Sequence, residues 1–122
     1  MKSVFIVGSR KFFDDIEKLV KLCKENGIEV NTAGKILNQE DTFESEKSAL
    51  LRAFQIIDKS DIIYVMAKGG YVGITVALEI AYSFAKNKEI VASETIKDFS
   101  AKALVSKVVK PEFFIEYIKI KI

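Results

Sequence analysis

The sequence predicts an α/β fold built on a doubly wound parallel sheet, and three observations predict it. Two apolar runs, Val4-Phe5-Ile6-Val7 and Ile62-Ile63-Tyr64-Val65-Met66, read as strands buried on both faces. Each is followed by glycine, Gly8 in one case and Gly69-Gly70 in the other, and then by a segment of helical period. Strand-type and helix-type segments alternate along the chain, and right-handed crossovers then place helices on both faces of the sheet. The expected architecture is one domain over residues 1–122, a flavodoxin-like or Rossmann-like sheet of five strands in the order 2-1-3-4-5.

Each element has its own signal. After the first strand and Gly8-Ser9, the residues Phe12, Phe13, Ile16, Leu19, Val20 and Cys23 recur at helical spacing through Lys24. Asn26-Gly27 supplies the stop for that helix, and Ile28-Glu29-Val30 forms a short second strand. Residues 31–43 have no clear period and contain Gly34, Asn38 and Asp41, so a loop is expected, with room for one helical turn. Phe43 to Ile57 resumes the helical period through Leu50, Leu51, Phe54 and Ile57. Asp58-Lys59-Ser60-Asp61 leads into the strand at 62–66, and Asp61 there reads as a turn or cap residue. Lys68 to Gly73 is the most glycine-dense stretch, followed by a helix from about Thr75, its expected N-cap, to Lys86. Ile90-Val91-Ala92 is a short strand, and residues 94–110 are mixed, with Ile96, Phe99 and Leu104 as apolar anchors. Pro111 suits the first position of a last helix, Glu112 to about Lys119.

Composition narrows the chemistry. With 122 residues, 49% hydrophobic and 30% charged, the chain has the balance of a soluble globular domain with one core. No apolar run approaches the ~18 residues of a membrane span, and the first strand is too short for a signal peptide. A cytoplasmic setting is expected, since the one cysteine, Cys23, sits on the apolar stripe of the first helix and reads as core. There is no histidine, so histidine-based triads and histidine-ligated metals are excluded, and no cofactor is expected. The 19 basic and 17 acidic residues are interspersed, without the basic run that binds a phosphate backbone or anionic lipid. Neither a polymeric nucleic acid nor a membrane is an expected partner. Carboxylates, hydroxyls, lysines and backbone amides must do the work.

In a doubly wound sheet, ligands bind beyond the carboxyl ends of the strands where the strand order reverses. Two loops belong there, Gly8-Ser9-Arg10-Lys11 and Lys68 to Thr75. Both combine glycine, free amides and a helix start, which favour an anion. Neither matches a dinucleotide fingerprint or a P-loop, and glycine after a buried strand also serves simply as a tight turn. Tyr71 could stack on a base or anchor its loop. Glu79 is the sharper observation, four residues after Thr75 within Val76-Ala77-Leu78-Glu79-Ile80-Ala81. At a helix start the macrodipole favours its ionised form. Such a carboxylate beside an anion-binding loop could attack a sugar carbon or offset positive charge there, or else be an ordinary solvated first-turn acid.

The run Asp61-Ile62-Ile63-Tyr64-Val65 followed by Gly70-Tyr71-Val72-Gly73-Ile74-Thr75-Val76-Ala77-Leu78-Glu79-Ile80-Ala81-Tyr82-Ser83-Phe84-Ala85-Lys86-Asn87-Lys88 resembles the core motif of the nucleoside 2-deoxyribosyltransferase-like family. Val4 to Ser9 resembles that family's first strand and its sugar- or phosphate-facing loop, and Ser93-Glu94, Ile96 and Asp98 resemble the stretch after its fourth strand in one branch. The resemblance implies N-glycosidic-bond chemistry on a nucleoside or nucleotide substrate, with Glu79 as the catalytic nucleophile. It implies substrate binding by Gly8, Ser9, Arg10, Gly70, Tyr71, Gly73 and Thr75, with Ser9 a donor and Arg10 a phosphate partner. It also implies a homo-oligomer, a dimer or larger, in which a neighbouring subunit helps complete each site.

The chain departs from that pattern where the family places an aspartate that assists the leaving base. The matching position falls at Ala53; Asp58 is too close along the chain and Glu46 too far. Proton delivery is thus unassigned, and a non-catalytic module that binds a nucleotide or nucleotide sugar is the alternative. A receiver domain would need an aspartate ending the central strand, where Met66-Ala67 stand, and an FMN carrier would need more hydroxyls after the first strand than Ser9.

Overall fold

The computed structural model describes residues 2–33 and 42–121; the middle of the expected 31–43 loop, with Gly34, Asn38 and Asp41, lies outside them. At the centre, β1 (Ser3–Gly8) and β3 (Ile62–Met66) run parallel, Val4 opposite Ile62 and Gly8 opposite Met66. β2 (Glu29–Thr32) flanks β1, and β4 (Glu89–Ala92) flanks β3. β5 (Lys107–Val108) closes the far edge, giving the expected five-stranded order β2-β1-β3-β4-β5, parallel at every pairing.

Period-two alternation sorts the side chains onto two faces. Val4, Ile6, Ile62, Tyr64 and Met66 pack with α1 (Phe13–Glu25) and α5 (Pro111–Lys121), through Ile16, Leu19, Cys23, Phe114 and Ile118. Phe5, Val7, Ile63, Val65 and Ile90 pack on the other face with α2 (Phe43–Lys59), α3 (Ile74–Ala85) and α4 (Phe99–Leu104). Both central strands are covered on both sides, the reason their sequences are unbroken apolar runs. Cys23 is fully buried, and burial pushes its thiol up to about 11.

Several boundaries differ from the sequence reading. A 3-10 turn, Arg10–Phe12, precedes α1, so that helix begins at Phe13. The N-cap of α3 is Gly73 rather than Thr75: Gly73 is extended, and its carbonyl accepts the first helical hydrogen bond from the Ala77 N–H at 3.0 Å. Glycine is an acceptable cap without a side chain, whereas Thr75 already has its backbone inside the first turn. The mixed stretch 94–110 contains α4, capped by Asp98 Oδ1 accepting from the Ala101 N–H at 3.0 Å, and then β5.

Asp61 is a clip between the sheet's two central strands. Its carboxylate accepts from the Ser3 N–H at 2.9 Å, while its own N–H donates to the Ser3 carbonyl at 3.0 Å. The Ser3 backbone hydrogen bond holds the Asp61 carboxyl below the usual carboxylate range. Asp61 is expected as a turn or cap residue; the C-terminal cap of α2 is Ser60, and Asp61 instead ties the start of β3 to the start of β1.

The chain leaves β1 toward one face and β3 toward the other, so a crevice opens between them at their carboxyl ends. Gly8 lets the strand ends close up there. A Cβ on it would meet both the Met66 carbonyl oxygen and Ile16 Cδ1 at 3.0 Å. Among the described residues, no helix is long and apolar enough to cross a membrane.

Candidate active site

A cleft of about 770 Å³ occupies that crevice. Its floor is the end of β1 with Gly8, Ser9 and Arg10; its walls are the start of α1, the end of β2, one stripe of α2, and the segment from Tyr71 into α3. Gly8, Ser9, Arg10, Tyr71, Gly73, Thr75 and Glu79 all line it. Gly70 does not. It packs against the 95–97 segment, where its carbonyl accepts from the Lys97 N–H at 3.0 Å. Its backbone has φ +81°, and an added Cβ would lie 2.7 Å from the Thr95 carbonyl oxygen. Gly70 therefore shapes the turn that carries Tyr71, by a conformation and a close approach open to glycine.

The two glycine loops touch across the crevice. The Lys11 ammonium lies 4.0 Å from the centroid of the Tyr71 ring, and the Phe12 ring meets Tyr71 edge-on at 6.2 Å and 80°. Tyr71 is an anchored ring that still presents a face to the cleft, being 42% exposed. Ser9 Oγ accepts from the Lys11 N–H at 3.3 Å and so starts the 3-10 turn that displays Arg10. Arg10 is exposed and forms no ion pair among the described residues. A cation on a loop of free amides is suited to hold an anion at the cleft mouth.

Glu79 is buried, at 7% exposure, which excludes the solvated first-turn acid considered from sequence. With the cap at Gly73 it stands in the second turn of α3, on the stripe Val76, Glu79, Ile80, Ser83 that faces inward. The macrodipole fades within the first turn, and desolvation wins: burial pushes the carboxyl up to about 7. Among the described residues its side chain has no hydrogen-bond or ion-pair partner; Ser83 Oγ donates to the Glu79 carbonyl at 2.7 Å, not to the carboxylate. A carboxyl that titrates near neutrality in a largely apolar cleft can hold a proton, attack an electrophilic carbon, or offset a cation beside it.

Of the wall opposite, the sequence pointed to Ala53 and to Glu46, but not to a continuous stripe. Glu46, Ala49, Leu50, Ala53 and Ile56 form one stripe of α2 facing the cleft, with Arg52 beside it. The spacing i, i+3, i+4, i+7, i+10 was available in the sequence, but a stripe that lines a cleft has the same period as one that lines a core. Ala53, 5% exposed, puts a methyl group where an aspartate was sought. Asp58 is not on this wall: it accepts from the Tyr82 hydroxyl at 2.8 Å and lies 3.9 Å from the Lys86 ammonium. Among the described residues, Glu46 and Glu79 are the two carboxylates of the lining.

No protein-family model matches the sequence, and no curated protein matches it. Solved structures do share the fold. A conserved protein from Enterococcus faecalis V583 superposes with a TM-score of 0.74 at 17% identity, covering 100% of this chain and 99% of that one. A 2-deoxyribosyltransferase from Bacillus psychrosaccharolyticus superposes with a TM-score of 0.66 at 11% identity, over 93% of this chain and 90% of that one. A 3-dehydroquinate dehydratase-like protein from Bifidobacterium longum reaches a TM-score of 0.54 at 18% identity, over 98% and 92%. At these identities the likeness is one of fold.

Proposed function

We propose that this protein cleaves the base–sugar bond of a nucleoside or nucleotide, passing the sugar to another base or to water, with Glu79 as nucleophile. The observation that carries the reading is Glu79 itself: a buried carboxylate without a partner among the described residues, opening into a cleft at the carboxyl ends of β1 and β3. The shared fold with a 2-deoxyribosyltransferase, over nearly the whole of both chains, supports the same reading.

A Glu79 oxygen attacks C1′ as the C1′–N bond breaks, its electron pair leaving with the base, which takes up a proton. The glycosyl ester is then opened at C1′ by water or a second base, and the Glu79 carboxylate is regenerated. Largely removed from water, the carboxylate interacts strongly with the oxocarbenium charge that develops beside it. Ser9, Gly8 and the start of α1 hold the sugar end, Arg10 pairs with a 5′-phosphate where the substrate has one, and the Tyr71 face stacks on the base. Gly73 and Thr75 shape the approach to Glu79.

The same reading takes the protein as a homo-oligomer of the cytoplasm. Ile74 and Leu78 on α3 and Leu51 on α2 are exposed apolar side chains that a second copy would cover, and Ile74, 85% exposed, also lines the cleft. Light scattering that finds only monomer would remove the oligomer from the account.

A second reading, a non-catalytic module that binds a nucleotide or nucleotide sugar, draws on Ala53, the methyl in the leaving-base position. Incubation with a panel of nucleosides and 5′-monophosphates, followed by chromatography for free base, separates the two. Released base supports the enzyme; binding without release supports the module; neither binding nor release defeats both.

A further inference from the structure

Resting on the proposed cleavage of a base–sugar bond, we infer that Glu46 is the second catalytic carboxylate, the donor of the proton that the departing base takes up. The cleft narrows the choice. Among the described residues its lining holds two carboxylates, Glu79 on α3 and Glu46 on the facing stripe of α2. Among the described residues, Asp58 is engaged with the Tyr82 hydroxyl and the Lys86 ammonium and Asp61 with Ser3, while Glu44 is exposed and does not line the cleft. Glu46 is half-buried, and its side chain has no hydrogen-bond or ion-pair partner among the described residues.

Its place on α2 explains how it serves from a position that the chain order makes look remote. Glu46 and Ala53 are seven residues apart on a 3.6-residue helix, two turns along one face, so both point at the same cleft. Ala49 lies between the two positions on that face beside Leu50, and all four side chains line the cleft. A capping box, with Thr42 Oγ1 accepting from the Ser45 N–H at 3.1 Å, fixes the turn that carries Glu46, and the Glu46 N–H donates to the Thr42 carbonyl at 3.0 Å. The side chain is thus set on an ordered helix start rather than on a loop.

In the step, the Glu46 carboxyl gives its proton to the departing ring nitrogen as the C1′–N electron pair moves onto the base. When water opens the glycosyl ester, the Glu46 carboxylate takes a proton from that water and is restored. A nucleophile on one wall and an acid on the other divide the work without competing for the same atom.

The test compares the wild type, Glu46→Gln and Asp58→Asn on 2′-deoxyguanosine 5′-monophosphate and on its N7-methylated counterpart, whose base leaves without a donated proton. The expected result is a 10²–10⁴-fold loss of kcat/KM for Glu46→Gln on the unmethylated substrate, less than tenfold on the methylated one, and no change for Asp58→Asn. Equal losses on both substrates, or none on either, would overturn the role of Glu46. A wild type that cleaves only the methylated substrate would overturn it too, while leaving Glu79 and the cleavage reading standing. A wild type inactive on both would bring down the cleavage reading and this inference together.

Discussion

Glu79 on α3 and Ala53 on α2 are both buried and line one cleft, a carboxylate on one wall and a methyl group on the other. Among the described residues little of the cleft lining is charged: two arginines, Arg10 and Arg52, accompany the two glutamates Glu46 and Glu79. The electrostatics of the site therefore turn on very few side chains, and each can be altered separately.

Glu79 lowers the stability of the fold as the solution goes from acid to neutral. Its folded-state carboxyl is raised from 4.5 to about 7 by burial, so between those values the folded chain binds more protons than the unfolded chain. Stability then falls as pH rises through that window and levels off above about 7. Glu79→Gln removes the ionisation, and its stability relative to the wild type improves by on the order of 3 kcal/mol between pH 4 and pH 9. Urea unfolding at the two pH values measures the difference; a wild type and variant that track each other would mean that Glu79 is not desolvated.

The same ionisation sets the acid side of the activity. A nucleophile must be deprotonated, so kcat/KM rises with pH through about 7, the value burial gives the free protein. A pH–rate profile with its acid limb near the ordinary glutamate value would place the essential ionisation on another group.

Ala53→Asp puts a carboxylate into the cleft two helical turns from Glu46. Aspartate costs at most ~0.7 kcal/mol more than alanine in a helix interior, besides the cost of partly burying it. In the Glu46→Gln background, Ala53→Asp should recover at least tenfold in kcat/KM on an unmethylated substrate, and circular dichroism should show the helix content unchanged. Recovery of nothing in a folded double variant would mean that position 53 is out of reach of the base.

The strands that carry the site were legible because β1 and β3 are covered on both faces, and such strands can be written only as apolar runs. β5 was not, since Lys107 and Val108 form a two-residue edge with no period to detect. Glu79 was visible as an acid in an apolar run, but its environment was not. Placing the cap at Thr75 put it in the first turn and gave the dipole the deciding weight; the cap at Gly73 sets it two residues further in, in the second turn, where burial decides. The α2 wall was legible only at Ala53 and Glu46, because Ala49, Leu50 and Ile56 are what a core stripe would also contain. Gly70 looked like part of a ligand loop, yet its φ of +81° and the Thr95 carbonyl explain it without any ligand.

That account of Gly70 is testable. Gly70→Ala combines a positive φ, costing about 1–2 kcal/mol, with a contact of 2.7 Å to backbone that cannot yield cheaply. A destabilisation of about 2–4 kcal/mol in thermal or urea unfolding is expected. A neutral effect would show that the turn relaxes and that the glycine was there for another reason.

The most direct test of the central claim is base release by the wild type and by Glu79→Ala, assayed by chromatography on the same panel of nucleosides and 5′-monophosphates. The cleft and a carboxylate nucleophile together predict release by the wild type and none above background by a Glu79→Ala variant that still folds and still binds. Turnover that survives in that variant would contradict the assignment and leave Glu79 as a buried acid with no part in the chemistry.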